Sequence, residues 1–259
     1  TEASKTINLT VECPLLKKLA EGGEVGNLIT YIIGWFWGDV AKVAAAPAIV
    51  TPHQQWGIMN YTKRCNKPEF GPIPKDILLL KWNLNGTYIY PGTKWCGAGN
   101  ISTEGEYTEN PWNKTDECCK AHDNSKSFIE AGQIHNESGL YNRYPYTITS
   151  CPEDMKLFNC LLNKNSSQVS EFGQAFFDAM NVPCFAETYE TKCTGFDGGR
   201  RCYVDTNSTR RWRFVAPANF YNAHLKKMYN VTREEKTKTS EGDVTLKDFC
   251  EKRSPIELH

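Results

Sequence analysis

The chain has 259 residues, 40% hydrophobic and 23% charged, with 30 basic residues balancing 30 acidic ones. That length holds one large domain, or one domain and a sizeable extension, around a buried core. The cancelled charge, with no long run of one sign, excludes a bulk basic footprint for nucleic acid.

The first ten residues are polar and carry no leader pattern, so a secreted form would have lost its leader. Pro14–Ala20 has helical spacing and stops at Gly22-Gly23. Residues 28–45 are apolar, with Tyr31, Trp35, Phe36 and Trp37. These aromatics read first as core packing, and otherwise as a membrane-surface helix or a plug over a site. The longest apolar run, Val25–Gly38, is too short to span a membrane and ends at Asp39. Residues 1–87 thus form a mostly helical N-terminal extension or propeptide, with Lys63-Arg64 a candidate processing site.

From about residue 88 the composition changes. Eight of the 11 cysteines lie between Cys96 and Cys202. Zinc would favour Cys-x2-Cys pairs, and none occurs, so a disulfide framework built in an oxidising compartment is the better reading. Asn8, Asn60, Asn85, Asn100, Asn113, Asn136, Asn165, Asn207 and Asn230 each open an Asn-x-Ser/Thr sequon. That density points to a secreted, extracellular glycoprotein. Helical spacing is expected over Asp116–Ser127, Asp154–Leu162 and Asn165–Phe177. Cys193–Cys202 encloses Gly195, Gly198 and Gly199 and reads as a hairpin or tight loop. Residues 216–259 are a more polar C-terminal extension, in which Glu234–Asp243 reads as solvated.

Three segments carry chemistry. In Trp95-Cys96-Gly97-Ala98-Gly99-Asn100, two glycines let a loop curl so that carbonyl oxygens converge, and such oxygens suit a hard cation such as calcium. Most Gly-x-Gly loops are simply turns. The second segment is Asp116-Glu117-Cys118-Cys119-Lys120-Ala121-His122-Asp123. Thr115 or Asp116 is expected to cap this helix. His122 falls near the face of Cys118 and Cys119, and Asp123 points about 100° away, so that one residue can meet a metal and the other a water.

The third segment is Cys151–Cys160. If Cys118 bonded Cys160 across two antiparallel helices, His122 would lie about 6 Å, and Asp154 about 9 Å, along one direction from the staple. Asp154 would then orient one ring nitrogen and leave the other as a base, with water as nucleophile. The bland alternative makes Asp154 a helix cap.

Tyr90-Pro91-Gly92-Thr93-Lys94-Trp95-Cys96-Gly97-Ala98-Gly99-Asn100, followed by the segment Asp116–Asp123, resembles group III secreted phospholipase A2, the bee-venom type, over about residues 88–215. The resemblance implies a mainly α, disulfide-rich fold. Its core would be two antiparallel crosslinked helices, a calcium loop and a small β-hairpin. It implies calcium on the main-chain oxygens of Trp95, Gly97 and Gly99 and on the Asp123 carboxylate, with His122 as general base and Asp154 as its partner. The implied reaction is hydrolysis of the sn-2 ester of a phospholipid in a membrane surface or micelle, with the Gly97 N–H helping to hold the oxyanion. By the same analogy the disulfides are Cys96–Cys119, Cys118–Cys160, Cys151–Cys184 and Cys193–Cys202.

The sequence departs from the family in three places. Ser125 and Glu153 stand where one further bridge would be, Phe176 where a tyrosine often bonds the aspartate, and Ala98 where the bee-venom type has histidine. Of the remaining cysteines, Cys13 is expected to pair with Cys65, which leaves Cys250 free or bonded to another chain. Tyr88 and Ile89 are candidates for lipid contact, or edge-strand packing residues. Two readings compete with an active enzyme: a phospholipase-like toxin or receptor-binding protein with little turnover, and a latent precursor covered by residues 28–45.

Overall fold

A computed structural model describes residues 9–21, 51–84, 89–164, 166–194 and 201–229. The aromatic segment 28–45, Tyr88, the loop tip around Gly198, segment 234–243, Cys250, and the sequons at Asn8, Asn85, Asn165 and Asn230 lie outside them.

Helix α1 (Leu9–Glu21) starts five residues before the expected Pro14. Its buried Cys13, Leu16 and Ala20 recur at helical spacing and face α2 (Pro52–Cys65). Thr51 and Gln54 form a capping box at the start of α2, with Gln54 N–H donating to Thr51 Oγ1 at 3.2 Å and Thr51 N–H to Gln54 Oε1 at 2.9 Å. The Cys13–Cys65 disulfide joins the two helices, and Arg64 pairs with Glu12 at 2.7 Å.

Pro74 precedes α3 (Lys75–Asn83), where Ile77, Leu78, Leu79 and Leu80 are all buried. Four consecutive buried apolar residues wrap most of a helix's circumference, so α3 must be covered on more than one side.

Helix α4 (Asn113–Asp123) carries His122, and α5 (Cys151–Asn163) carries Asp154. Cys118–Cys160 links them, while His122 meets Asp154. The later residue of one helix faces the earlier residue of the other, so chain order reverses across the pair. Cys96–Cys119 and Cys151–Cys184 complete the four disulfides found among the described residues, all of them expected pairs. Cys193 stands opposite Cys202 in the ribbon of β4 (Glu190–Thr194) and β5 (Arg201–Asp205). Two further antiparallel pairs are β1 (Phe128–Ile129) with β2 (Ile148–Thr149), and β3 (Cys184–Thr188) with β6 (Arg211–Val215). The result is a mainly α, disulfide-rich fold.

The helix expected over Asn165–Phe177 is present with shifted bounds, and Phe172 and Phe177 are buried as expected. It divides into α6 (Ser167–Gly173), capped by Ser166, and a π-helical segment, Gln174–Met180. Gln174 Oε1 accepts the Ile73 N–H at 2.9 Å and ties this segment to the chain entering α3. Gly173 is required by close approach, because a Cβ there would meet the Phe220 ring at 2.2 Å. Phe220 opens α7 (Phe220–Tyr229) and packs on Phe158 and Phe177 in the core. Asp178 accepts the first N–H groups of α7, from Phe220 and Tyr221, both at 2.9 Å.

Ile89 is buried and bridges to Gly97, so it is a packing residue rather than a lipid contact. Among the described residues no helix is long and apolar enough to cross a membrane.

Candidate active site

Residues from the Trp95–Asn100 loop, α3, α4, α5, α6 and the π-helical segment surround one cavity of about 660 Å³. Its polar lining includes His122, Asp123 and Thr149, and its apolar lining includes Leu79, Trp82, Leu157, Phe172 and Met180. A mostly apolar cavity with a few convergent polar groups is the usual form of a small-molecule site.

Tyr90 N–H donates to Cys96 O at 2.7 Å, and Ile101 N–H to Lys94 O at 2.9 Å, so these two carbonyls are used inside the turn. Gly99 holds a φ of 76°, a conformation that glycine adopts without strain. The loop is fastened to α4 twice. One fastening is Cys96–Cys119. The other is the buried Asp116 carboxylate, which accepts N–H groups from Lys94 at 2.9 Å, Trp95 at 3.0 Å and Thr108 at 2.7 Å.

The expectation that Thr115 or Asp116 caps α4 is therefore corrected. Trp112 is the N-cap and offers no side-chain bond, while Asp116 turns its oxygens to the loop. Three backbone donors, at Lys94, Trp95 and Thr108, outcompete the helix end for that carboxylate.

His122 Nε2 lies 2.7 Å from Asp154 Oδ1 and 3.0 Å from Thr149 Oγ1. Asp154 is fully buried in the first turns of α5, behind the N-cap Ser150, so it is not the cap. The Thr149 hydroxyl also donates to Asp154 Oδ1. With Nε2–H directed at the carboxylate, Nδ1 is the nitrogen left to accept a proton. Burial opposes charge on the ring, but the hydrogen bond and negative charge of Asp154, aided by Asp123 and Glu153, outweigh it. The imidazole is held above its ordinary value of 6.5.

Asp123 opens onto the same cavity. Crowding by the walls and the charge of Asp116 push its carboxyl up to about 7, against the pull of His122. A carboxylate lining the cavity, beside the glycine loop, is a group that a hard cation suits. Among the described residues no cluster of three or more His, Cys, Asp or Glu forms a metal site. A cation beside Asp123 would thus depend mainly on main-chain oxygens, as a glycine loop provides. The cavity brings together all six expected site residues: Trp95, Gly97, Gly99, His122 and Asp123 line it, and Asp154 stands behind His122.

Sequence reasoning missed Thr149, which sits five residues before Asp154 in a two-residue strand with no local signal. It also missed Leu79 and Trp82, and the buried ion pair of Lys81 with Glu171. Asp116 was visible as a first-turn acid, but its true partners lie about twenty residues away.

A family model described as Phospholipase A2 matches residues 89–188. The chain is 37% identical over 101 residues to phospholipase A2 isozymes of Heloderma suspectum, covering 39% of this chain and 68% of the relative. It is 34% identical over 133 residues to a phospholipase A2 of Bombus pensylvanicus, covering 49% and 95%. Over 135 residues it is 32% identical to one of Xylocopa appendiculata circumvolans, covering 51% and 74%.

Proposed function

Because this chain belongs to the phospholipase A2 family, of the group III bee-venom type, and is an ester hydrolase of that kind, we propose that it hydrolyses the sn-2 ester of glycerophospholipids with calcium at the Trp95–Gly99 loop. The observation carrying this is the 2.7 Å contact of His122 Nε2 with Asp154 Oδ1 on the wall of the cavity that Asp123 and the loop share.

His122 Nδ1 takes a proton from a water molecule, whose oxygen attacks the sn-2 carbonyl carbon. Asp154 fixes the ring and stabilises the imidazolium that forms. The Gly97 N–H donates to the oxyanion. As the ester C–O bond breaks, His122 returns the proton to the departing glycerol oxygen, releasing a fatty acid and a lysophospholipid. No serine nucleophile and no acyl-enzyme are required. Calcium, held by the main-chain oxygens of Trp95, Gly97 and Gly99 and by Asp123, would polarise the carbonyl and balance charge on the phosphate and oxyanion.

Residues 88–215 are taken as the catalytic unit, with extensions on both sides. The substrate is presented in a membrane surface or micelle, and Phe128, exposed at the cavity, is a contact suited to it. The four disulfides suit secretion. The described sequon asparagines Asn60, Asn100, Asn113, Asn136 and Asn207 are all at least partly exposed, which suits glycosylation.

The test is fatty-acid release from phosphatidylcholine mixed micelles, in calcium and in chelator, for the full chain and for His122→Gln. Release that needs calcium and drops by about 10³-fold or more in the variant is expected. Calorimetry should also detect calcium binding that His122→Gln retains and Asp123→Asn loses. Calcium-independent release, or release untouched by His122→Gln, would sink the mechanism. No release under any condition would favour the low-turnover binding protein. The feature favouring that second reading is Asp154 Oδ2, which is buried with no hydrogen-bond partner among the described residues.

A further inference from the structure

Helix α3 precedes the residues that match the family, yet it reaches the cavity. We propose that Leu79 and Trp82 of α3 form the wall that seats the sn-2 acyl chain and set its preferred length, so that residues 52–84 are a working part of the site. This deepens the phospholipase reading and rests on it.

Both side chains are 8% exposed, and both line the cavity. The neighbours Ile77, Leu78 and Leu80, at 0–1% exposure, fill the core on the other sides of the helix. Trp82 spans two walls. Its ring stands edge-on to Tyr90 at 5.2 Å, beside the loop, and lies 5.8 Å from Phe172 of α6. With Leu79, Phe172 and Met180 it makes a hydrocarbon surface in the cavity whose polar groups are His122 and Asp123. An ester placed at those polar groups would leave its alkyl tail to that surface, where matching of apolar length decides selectivity.

The wall is also held rigidly. Lys81, one residue before Trp82, pairs with Glu171 of α6, and both are almost fully buried. Lys81 Nζ donates to Thr62 Oγ1 of α2 at 2.9 Å, and Tyr90 Oη donates to Glu171 Oε1 at 2.6 Å. One buried network therefore ties α2 and α3 to α6 and to Tyr90, in the segment that enters the loop. A segment fixed in this way positions a surface for a flexible tail; a loosely laid cover would not need a desolvated ion pair.

The test compares octanoyl and oleoyl sn-2 chains on one phosphocholine headgroup, using the full chain. Leu79→Trp should lower kcat/KM for the oleoyl substrate about tenfold more than for the octanoyl one. Leu78→Ala, which disturbs the same helix but does not line the cavity, should leave the selectivity ratio unchanged. A brominated-chain ether phospholipid, which cannot be hydrolysed, should quench tryptophan fluorescence less in Trp82→Phe than in the parent. If folded Leu79→Trp lowers both substrates equally, or Trp82→Phe quenches like the parent, the wall is rejected. Quenching that depends on Trp82, without turnover of either substrate, would keep the wall and reject the enzyme.

Discussion

Phe176 stands edge-on to the His122 imidazole, with ring centroids 6.0 Å apart and planes at 81°. A ring edge in that place packs the imidazole but offers no hydroxyl to the acid behind it. Asp154 Oδ2 is left buried and without a hydrogen bond among the described residues. An unsatisfied buried acceptor is costly. Phe176→Tyr should therefore raise stability by about 1 kcal/mol by supplying a donor. Thermal unfolding checks this, and a lowered Tm would mean that the new hydroxyl finds no acceptor.

Thr149 compensates from the other side, donating to Asp154 Oδ1 while its oxygen lies 3.0 Å from His122 Nε2. Thr149→Val removes the hydroxyl while nearly keeping the volume. It should cost about tenfold in kcat, equivalent to about 1.4 kcal/mol of barrier. KM and calcium affinity should change little. An unaltered kcat would show that Asp154 needs no such support.

Asp116 acts at a distance from the reacting atoms. Its carboxylate accepts three N–H groups, two of them from the loop at Lys94 and Trp95. Asp116→Asn keeps the shape but loses charge and acceptor capacity. Calcium affinity measured by calorimetry should weaken about tenfold, and stability should fall by about 2 kcal/mol. Wild-type affinity in a folded variant would free the loop from this residue.

The buried Lys81–Glu171 pair should show the asymmetry of buried charge. Lys81→Met alone leaves Glu171 with only the Tyr90 hydroxyl, and should cost about 3–5 kcal/mol in denaturant unfolding. Adding Glu171→Leu should recover much of that loss. A double variant no better than the single one would mean that the pair contributes net stability.

His224 gives a pH dependence. Burial, and then the charge of Lys227, lower its pKa from 6.5, and the ring sits between Phe220 and the Ser170 hydroxyl. Because the folded value lies below the unfolded one, the fold favours the neutral ring. The stability this contributes is complete above about 6.5 and is lost as pH falls through the lowered value. His224→Asn should lose less Tm than the parent between neutral pH and pH about 5. Parallel curves would exclude this residue as a source of acid sensitivity.

The sequence by itself determined what depends on neighbours along the chain. Helical spacing around Cys118–Asp123 and Cys151–Cys160 was legible because a helix repeats every few residues, and so was the glycine turn at Gly97 and Gly99. The Tyr90–Asn100 segment and the Cys-Cys pair next to His122-Asp123 together carried the family resemblance, and with it the disulfide expectations. The helix expected over Asn165–Phe177 was legible from its phenylalanines, but its π-helical half, Gln174–Met180, was not, because the spacing read was that of an ordinary α-helix. Only the tertiary structure decided that Asp116 serves the loop, that Thr149 serves Asp154, and that α3 lines the cavity. Those relationships join residues distant in sequence or held in a two-residue strand, and they form because a buried charge or acceptor takes the nearest donor in space.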